Sequence, residues 1–344
     1  MRDFVELDEL ELKLVNALQI SPRASWTLIA SVLDIDPATA ARRWQRLVRT
    51  GRAWISVYPG AAGVGAVLVV FVEVGCAAGT ADAVAERLAA DTRVATIEHI
   101  TGGSDLLLTV LVGGLAALSE FLVTDLGVIP GVTGTRAQVA TRIVAEAARW
   151  TLRALTAAQR QRILSGGPRP VEQTPRPIGS RDLPLLTALS ADGRASYSHL
   201  ADASGLSIST VRRRLDSLLV SKRVIIRCEV AQPLSGWPVA ASLWCRVPPA
   251  RHDAVTSQLA SLPETRQCVG ITGGRANLLL TVWLRSVADM QVLQAALVER
   301  ITDLEVLHTA LALRQVKRIG RVLDRHEHAR ETVPLDLWPL TIGV

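Results

Sequence analysis

The sequence has 344 residues, of which 49% are hydrophobic and 20% charged, and its formal net charge is +6. This composition excludes a chain that is disordered throughout, because it provides enough apolar surface for several cores, and the positive charge favours an anionic partner. None of the four cysteines forms a CxxC pair, which indicates reduced, buried thiols in a reducing compartment.

The first segment of the chain is predicted to be helical. Its acidic start lacks the basic and apolar regions of a signal peptide, so we expect a cytoplasmic protein. Apolar residues at helical spacing predict helices over 7–18 and 25–33. Asp36 as N-cap and Pro37 at the first helical position predict a third helix. A supporting helix followed by two helices joined by a tight turn is typical of a helix-turn-helix domain, which we place at 1–60.

An uncharged run follows at 53–72. Pro59 and several glycines interrupt it, which favours a buried strand after a hinge over a membrane span. From 66 to 145 the sequence alternates between strand-like and helix-like runs, in the order strand–helix–strand–strand–helix–strand of a ferredoxin-like sandwich. The predicted strands lie at 67–74, 94–100, 106–112 and 133–143, and the predicted helices lie at 81–90 and 115–126.

The second half of the chain repeats the first. A shift of 171 residues aligns 23–55 with 194–226 without a gap, and it also aligns the two ITGG stretches. The fold class predicted is therefore α+β, with two copies of a winged helix-turn-helix domain followed by a ferredoxin-like βαββαβ sandwich domain. The remaining segments are a helix and Pro/Gly-rich linker at 146–177, a second helix-turn-helix domain at 178–230, a second sandwich domain at 238–320 and a tail at 321–344.

Two local signals refine the second copy and the linker. Thr156 and Gln159 have capping-box spacing, which predicts a helix before the Pro- and Gly-rich tether. Pro184 lies inside the predicted first helix of the second copy, so we expect that helix to start late.

The third helix of each copy carries the residue types that bind DNA. Five arginines and no acidic residue lie between 42 and 52, and guanidinium groups pair with phosphates or guanine, while hydroxyl groups reach either. The repeat of a cap, a turn, an inward apolar stripe and an outward basic stripe favours DNA contact over a solvated helix surface. The predicted DNA-binding residues are Thr39, Arg42, Arg43, Arg46, Ser209, Thr210, Arg213, Arg214 and Ser217.

Two features qualify this DNA-binding prediction. Arg43 and Arg214 lie at the flank of the inward face, where a structural ion pair is the alternative to a DNA contact. The outward faces of the two helices also differ in sequence, which predicts recognition of a non-palindromic DNA site.

The order and spacing of these parts resemble the Lrp/AsnC (feast/famine) family of bacterial and archaeal transcription regulators, written twice in one chain. The resemblance is carried by LDELELKLVNALQISPRASWTLIA, by DPATAARRWQRLVRTGRAWI and by ITGGSDLLLTV. It implies a helix-turn-helix domain followed by a sandwich domain that dimerises through its sheet and binds small effectors, often amino acids, between subunits. We therefore expect double-stranded DNA, a small-molecule effector and further copies of the chain as partners, with no membrane and no cofactor.

The resemblance places an effector loop at the repeated ITGG stretch. Glycine N–H groups can hold a carboxylate, and the Asp105 carboxylate can receive an ammonium group. The alternative is a tight β-turn in which Asp105 accepts a local N–H. The second copy has Arg275 and Asn277 in this region, so we expect its pocket to have lost or changed its preference. The predicted effector-binding residues are Thr101, Gly102, Gly103, Ser104, Asp105, Gly273, Gly274, Arg275 and Asn277.

Two other classes of protein stay open. Tetrapyrrole (sirohaem-type) decarboxylases resemble the same architecture, but they require a His/Arg-bearing strand, and the counterpart of His99 is Gly270. The other class is a sensor or scaffold whose helix-turn-helix domains serve only in packing. His326 and His328 lie in a charged stretch that is more typical of a solvated surface than of a metal site. We expect no catalytic residues and no metal.

Overall fold

The computed structural model describes residues 6–60, 67–145, 150–166 and 176–342. Each half begins with three helices and one strand. Capping residues fix the helix starts: Asp8 and Glu11 form a capping box, and the side chains of Ser25, Asp36 and Ser207 accept hydrogen bonds from the first turns that follow them. The elements are α1 (Glu9–Ile20), α2 (Trp26–Leu33), α3 (Pro37–Arg49) and β1 (Ala53–Pro59), then α7 (Leu183–Ala191), α8 (Tyr197–Ser204), α9 (Ile208–Val220) and β6 (Val224–Val230).

Two expectations for these segments are confirmed. The first helix of the second copy is shorter, with 9 residues against 12, and Pro184 lies in its first turn. The helix α6 (Ala157–Ser165) starts at the capping box of Thr156 and Gln159. Most of the predicted tether, 167–175, lies outside the described residues.

Both sandwich domains have the predicted βαββαβ order. In the first copy the second helix continues into a π-helical turn, Phe121–Leu126. The elements are β2 (Leu68–Cys76), α4 (Ala81–Ala89), β3 (Val94–Ile100), β4 (Leu106–Val112), α5 (Leu115–Glu120) and β5 (Val132–Ala145), then β7 (Val239–Arg246), α10 (His252–Ser261), β8 (Thr265–Thr272), β9 (Leu278–Leu284), α11 (Asp289–Arg300) and β10 (Glu305–Arg318).

The two sandwich sheets join into one closed barrel. The long last strand of each half pairs first with its own half and then with the other half: β5 pairs with β2 and β8, and β10 pairs with β7 and β3. The resulting ring of eight antiparallel strands has the order β10-β3-β4-β2-β5-β8-β9-β7 and returns to β10. Because the ring is closed, these strands have no free edge between the halves.

The strand after each helix-turn-helix forms a ribbon shared by the two halves. β1 and β6 are antiparallel, and their register runs from Ala53 opposite Val230 to Pro59 opposite Val224. Ser56 lies opposite Arg227 at the centre, and the 171-residue shift makes these two residues counterparts. The pseudo-twofold axis that relates the halves therefore passes through this pair, and the predicted wing of each domain is one strand of a joint ribbon.

The two helix-turn-helix domains pack into a single hydrophobic core. This core combines Leu18, Leu47 and Trp54 of the first copy with Leu186 and Leu215 of the second, among other buried residues. We refer to the two domains with their common core as the head pair. Burial of both apolar faces against each other means that neither domain presents an independent, freely rotating reading head.

Reciprocal arginines fasten the head pair across the pseudo-twofold axis. Nη1 and Nη2 of Arg23 donate to the carbonyls of Gly193 and Ala195, at 2.8 and 2.9 Å. Arg194, the counterpart of Arg23, donates to the carbonyls of Pro22 and Ala24, at 2.5 and 2.9 Å. Each guanidinium also lies over an aromatic ring of the other copy, Tyr197 for Arg23 and Trp26 for Arg194.

The C-terminal segment differs from the expected tail. Residues 321–323 and 329–332 form the short strands β11 (Arg321–Leu323) and β12 (Ala329–Thr332), which extend from β10. The N–H of Ala329 donates to the carbonyl of Gly51 at 2.8 Å, and the indole of Trp338 donates to Ser190 at 2.9 Å. The segment therefore ties the barrel to both head domains, which local sequence patterns alone did not indicate. None of the helices in the described part of the chain is both long and apolar enough to cross a membrane.

Replacement of Arg194 by Met should loosen the head pair. The variant leaves two interdomain carbonyls without their charged donor, which lowers the free energy of unfolding by ~2 kcal/mol. Chemical denaturation monitored by circular dichroism measures the change, and Arg181→Met, at an exposed position, is the matched control. Equal stability of the two variants would contradict the reciprocal fastening.

Candidate DNA-binding surface and effector loops

The first recognition helix, α3, presents a basic outer face. Its inward side is formed by Ala40, Trp44 and Leu47, which are buried in the head core as predicted. Arg42 is exposed, and its Nη2 donates to Oγ1 of Thr39 at 2.9 Å. The arginines of this face remain at the surface because the opposite stripe of the helix takes all of its apolar contacts.

Two arginines of α3 are tied to the first helix of their own domain. Arg43 forms an ion pair with Asp8 at 2.5 Å. Arg46 pairs at 2.5 Å with Glu11, which is buried, although half of the Arg46 side chain remains exposed. Arg43 is therefore the structural ion-pair residue that its flank position suggested, and Arg46 keeps only part of its donor capacity for a ligand.

The second recognition helix, α9, has a less basic outer face. Arg213 is exposed, while Ser209 and Thr210 both lie beside the N-cap hydroxyl of Ser207, at 3.0 and 2.9 Å. Ser217 is half-buried. The face offers hydroxyl groups where α3 offers guanidinium groups, so the two reading surfaces differ in charge as well as in sequence.

Arg214 does not belong to the DNA-binding surface, and its prediction as a DNA-binding residue is wrong. Its guanidinium is buried and donates to both carboxylate oxygens of Asp182, at 2.8 and 2.6 Å. It also donates to the carbonyls of Arg176 and Pro177. With these donors used, the side chain anchors the end of the linker to the second head domain.

The predicted effector loops occupy equivalent places at the seam between the halves. Gly102 and Gly273 have positive φ angles of 103° and 107°. A Cβ on Gly102 would lie 2.9 Å from the His308 ring, and one on Gly273 would lie 2.9 Å from the carbonyl oxygen of Ala137. Each loop therefore needs glycine both for its turn and for its close approach to the last strand of the other half.

The first loop has Asp105 where the second has Asn277, and both side chains hold their loop against a neighbouring strand. Oδ2 of Asp105 accepts the N–H of Cys76 at 2.7 Å. Asn277 holds the corresponding residue, Val247, with two bonds: its Oδ1 accepts the N–H at 2.9 Å, and its Nδ2 donates to the carbonyl at 2.7 Å. Both side chains close the loop onto the end of the neighbouring strand, which is the β-turn alternative. Asp105 is exposed, so its second oxygen is still accessible.

The other predicted loop residues separate into seam and surface positions. Thr101 is part of the seam, because its N–H donates to the carbonyl of Leu311 and its hydroxyl accepts the N–H of Leu311, both at 2.9 Å. Gly103, Gly274 and Arg275 are exposed, and Ser104 is half-buried. Arg275 and Asn277 border a shallow groove with Arg246 and Asp303.

The environment beneath the two loops is not equivalent, which the sequence reading missed. In the first half the buried Glu73 pairs with Arg136 at 3.3 Å. Their counterparts in the second half are Trp244 and His308, whose rings lie 5.0 Å apart. The repeat identifies these counterparts, because the two halves align with a shift of 171 residues before the extra residue at 275 and of 172 residues after it. This alignment was the sequence signal that could have revealed the difference.

His99, the residue considered for a decarboxylase, lies on the helix-covered side of β3. Its Nε2 is 3.0 Å from Oδ1 of Asp82 and 3.0 Å from Nη2 of Arg314. Burial and then the Arg314 charge lower the pKa of His99. The ring is therefore held between α4 and β10.

Comparison with known proteins agrees with this architecture. The Lrp/AsnC ligand binding domain matches residues 69–150 and 241–322, and the AsnC-type helix-turn-helix domain matches residues 7–48 and 181–219. The Bkd operon transcriptional regulator of Pseudomonas aeruginosa is 32% identical over 145 residues, which is 40% of this chain and 94% of that protein. An uncharacterised HTH-type transcriptional regulator of Pyrococcus furiosus is 31% identical over 140 residues, 40% of this chain and 93% of the relative.

A solved structure covers both halves at once. The siroheme decarboxylase NirDL, in co-complex with an iron-uroporphyrin III analogue, aligns with 91% of this chain and 93% of its own, with a TM-score of 0.57. The sequences are 14% identical, so this likeness concerns the fold alone.

The repeated order of helix-turn-helix and ligand-binding domains defines a tandem-duplicated transcription regulator. The chain belongs to the Lrp/AsnC family.

Replacement of Arg214 by Met should destabilise the protein rather than change its DNA contacts. It removes the partner of a buried carboxylate, which costs about 3–5 kcal/mol of unfolding free energy. Arg213→Met, one position away and exposed, should change stability by less than about 0.5 kcal/mol. The same Arg213 variant should weaken DNA binding and reduce its salt dependence by about one counterion. Urea unfolding and fluorescence anisotropy with DNA measure these two effects.

The contribution of Arg214 should also depend on pH. Burial raises the pKa of Asp182, but the hydrogen bonds from Arg214 and from the N–H of Gly179 outweigh it, so the pKa lies below its ordinary value. The stabilisation is thus complete above the ordinary carboxyl pKa of about 4 and is lost as the pH falls through the folded-state value. A stability difference between wild type and Arg214→Met that grows on acidification would contradict this pairing.

Proposed function

We propose that the protein is a sequence-specific transcription regulator that reads two unlike DNA half-sites and responds to a small effector. The observation that carries the proposal is the head pair: two exposed recognition faces of different chemistry are fastened in one core. Thr39, Arg42 and part of Arg46 face outward on α3, and Ser209, Thr210 and Arg213 do so on α9. A homodimer presents the same face twice, whereas this chain presents one of each.

The basic face of α3 and the hydroxyl-rich face of α9 suit different tasks. Arginine binds guanine bidentately in the major groove and pairs with phosphates, while serine and threonine hydroxyls contact several bases. Because the head core fixes both helices, binding of the first face brings the second to a defined distance along the duplex. Each further copy of the chain in the assembly would add one recognition face of each kind.

Two alternatives are weighed by particular observations. A tetrapyrrole decarboxylase is supported by the fold likeness alone, and His99 is held by Asp82 and Arg314 on the helix-covered side of the sheet. A scaffold without DNA binding is less favoured, because Arg42 and Arg213 are exposed rather than used in packing.

The operator of the full-length chain should consist of two dissimilar half-sites. Genomic DNA pull-down followed by footprinting identifies the sequence and its protected positions. Chains in which α3 and α9 residues 38–49 and 209–220 are exchanged should bind the natural operator at least tenfold more weakly and prefer it with its half-sites interchanged. Binding that survives the exchange unchanged, or a salt-insensitive band shift, would refute asymmetric recognition.

The effector loops remain a prediction that the full-length chain can test. If the free oxygen of Asp105 receives an ammonium group, Asp105→Asn weakens the calorimetric affinity for an amino acid by tenfold or more. The converse change, Asn277→Asp, should then introduce amino-acid binding in the second half. If neither variant changes the affinity, Asp105 and Asn277 serve only to hold their loops against the neighbouring strands. Isolated halves are unsuitable, because the barrel and the head core are each built from both.

A further inference from the structure

A partly open cavity of about 180 Å³ lies in the barrel, where the ribbon of β1 and β6 reaches it. Most of its wall is apolar and includes Phe71, Leu107, Ile143 and Leu279. At about 15 Å³ for each water-sized position, it holds on the order of a dozen non-hydrogen atoms. The space is therefore of the size of a small metabolite and is separate from both ITGG loops.

One side of the cavity carries three buried arginines. Arg227 of β6, Arg266 of β8 and Arg318 of β10 all line it, and each is at least 94% buried. They converge on one carboxylate: their nearest nitrogens lie 2.6, 3.1 and 3.9 Å from the oxygens of Glu229. Arg266 and Arg318 also lie over the ring of Trp283, at 4.2 and 4.8 Å from its centroid.

Polar atoms of this wall are left without hydrogen-bond partners. Nη2 of Arg227 and Oε1 of Gln315 are buried and unpaired in the described part of the protein, and both residues line the cavity. Unsatisfied buried polar groups are rare in folded proteins, and an unpaired guanidinium nitrogen is among the most unfavourable. The polar pairing of this wall is therefore incomplete beside the cavity.

The charges of the wall favour an anionic guest. Glu98 and Glu327 are the other carboxyl groups near the three arginines. Burial raises the pKa of each above its ordinary value, and Glu98 also accepts a hydrogen bond from Gln315. Burial thus favours the neutral form of these two carboxyl groups, and Glu229 is the carboxylate on which the three guanidinium groups converge.

The repeat explains why the polar wall has no twin. The counterparts of Arg227, Arg266 and Gln315 are Ser56, Ala95 and Ile143, while Leu107 and Thr109 have the identical counterparts Leu279 and Thr281. A symmetric dimer would place like residues on both sides of its axis. The duplicated chain instead has a charged side and an apolar side within a single cavity.

We propose that this cavity binds a small organic carboxylate with a compact apolar body, one molecule per chain. The carboxylate meets the side that carries Arg227, Arg266 and Arg318, while the apolar body lies against Phe71, Leu107 and Leu279. Amino acids and the corresponding 2-oxo acids share this chemistry. Only the regulatory part of this inference rests on the proposed function, and the barrel site is distinct from the ITGG loops, whose own amino-acid binding is tested separately.

The cavity is directly connected to the head pair. Tyr58, Pro59 and Arg227 belong to the ribbon whose strands follow the recognition helices α3 and α9, and all three residues line the cavity. Leu337, also in the lining, precedes Trp338, which is bonded to the second head domain. A ligand that contacts Arg227 therefore contacts the β1–β6 ribbon, which joins the two helix-turn-helix domains. Such a ligand can favour one relative orientation of these domains over another.

Calorimetry with the full-length chain tests the binding site. The probes are phenylpyruvate and 4-methyl-2-oxopentanoate, with phenylalanine and leucine as the amino-acid arm and phenethylamine as the probe without a carboxylate. We expect at least one carboxylate to bind with one site per chain and phenethylamine not to bind. Arg227→Met should weaken this binding at least tenfold, and Thr109→Trp, which fills the cavity, should abolish it. Arg87→Met, on the exposed face of α4, is the matched control and should bind as wild type does.

The outcomes separate this inference from the proposed function. Thermal unfolding identifies variants that fail to fold, and Thr109→Trp keeps the test open if Arg227→Met is one of them. The inference is overturned if none of the four carboxylates binds. It is also overturned if Thr109→Trp leaves their binding unchanged, or if Asp105→Asn abolishes binding while Thr109→Trp does not. Operator titrations with and without the bound probe then measure coupling. If the wild-type chain binds no DNA, the proposed function is refuted, but the calorimetric evidence for the barrel site still holds.

Discussion

The exchange of the last strands between the two halves is the interaction on which the rest of the structure depends. β5 and β10 each pair with their own sheet over one part of their length and with the other half over the remainder. This pairing closes the barrel, forms most of the wall of its cavity and defines the pseudo-twofold axis. The same axis relates β1 to β6 and Arg23 to Arg194, so the geometry of the head pair follows from the relation between the halves.

Duplication releases positions near this axis from the requirement to be identical. Ser56 faces Arg227 in the ribbon, Glu73 and Arg136 correspond to Trp244 and His308 beneath the loops, and the two recognition helices expose different side chains. These differences leave the fold intact, because backbone pairing does not depend on these side chains. The Asp105 and Asn277 positions show the limit of this freedom, since both must still close the loop onto the neighbouring strand.

Much of the fold could be predicted from the sequence because its signals are local. Caps at Asp36 and Ser207, apolar spacing and the βαββαβ order each depend on neighbouring residues, and the repeat then doubled the information. The closure of the barrel and the hairpin of β11 and β12 depend on contacts between distant segments, which spacing does not encode. The site was predicted less well for the same reason. Arg214 resembles a surface arginine until Asp182 and the linker carbonyls are found around it, and no local pattern marks Arg227 as a residue of the barrel cavity.

We propose that residues that differ between the two halves create one asymmetric effector cavity, in the barrel that is joined to the two unlike DNA-reading domains. A crystal structure of the full-length chain grown with 4-bromophenylpyruvate tests it most directly, through the anomalous signal of bromine. The account predicts one bromine peak per chain inside the barrel, near Leu107 and Leu279, with the carboxylate at Arg227 and Arg266. A peak at the ITGG loops, or two peaks related by the pseudo-twofold axis, would contradict it.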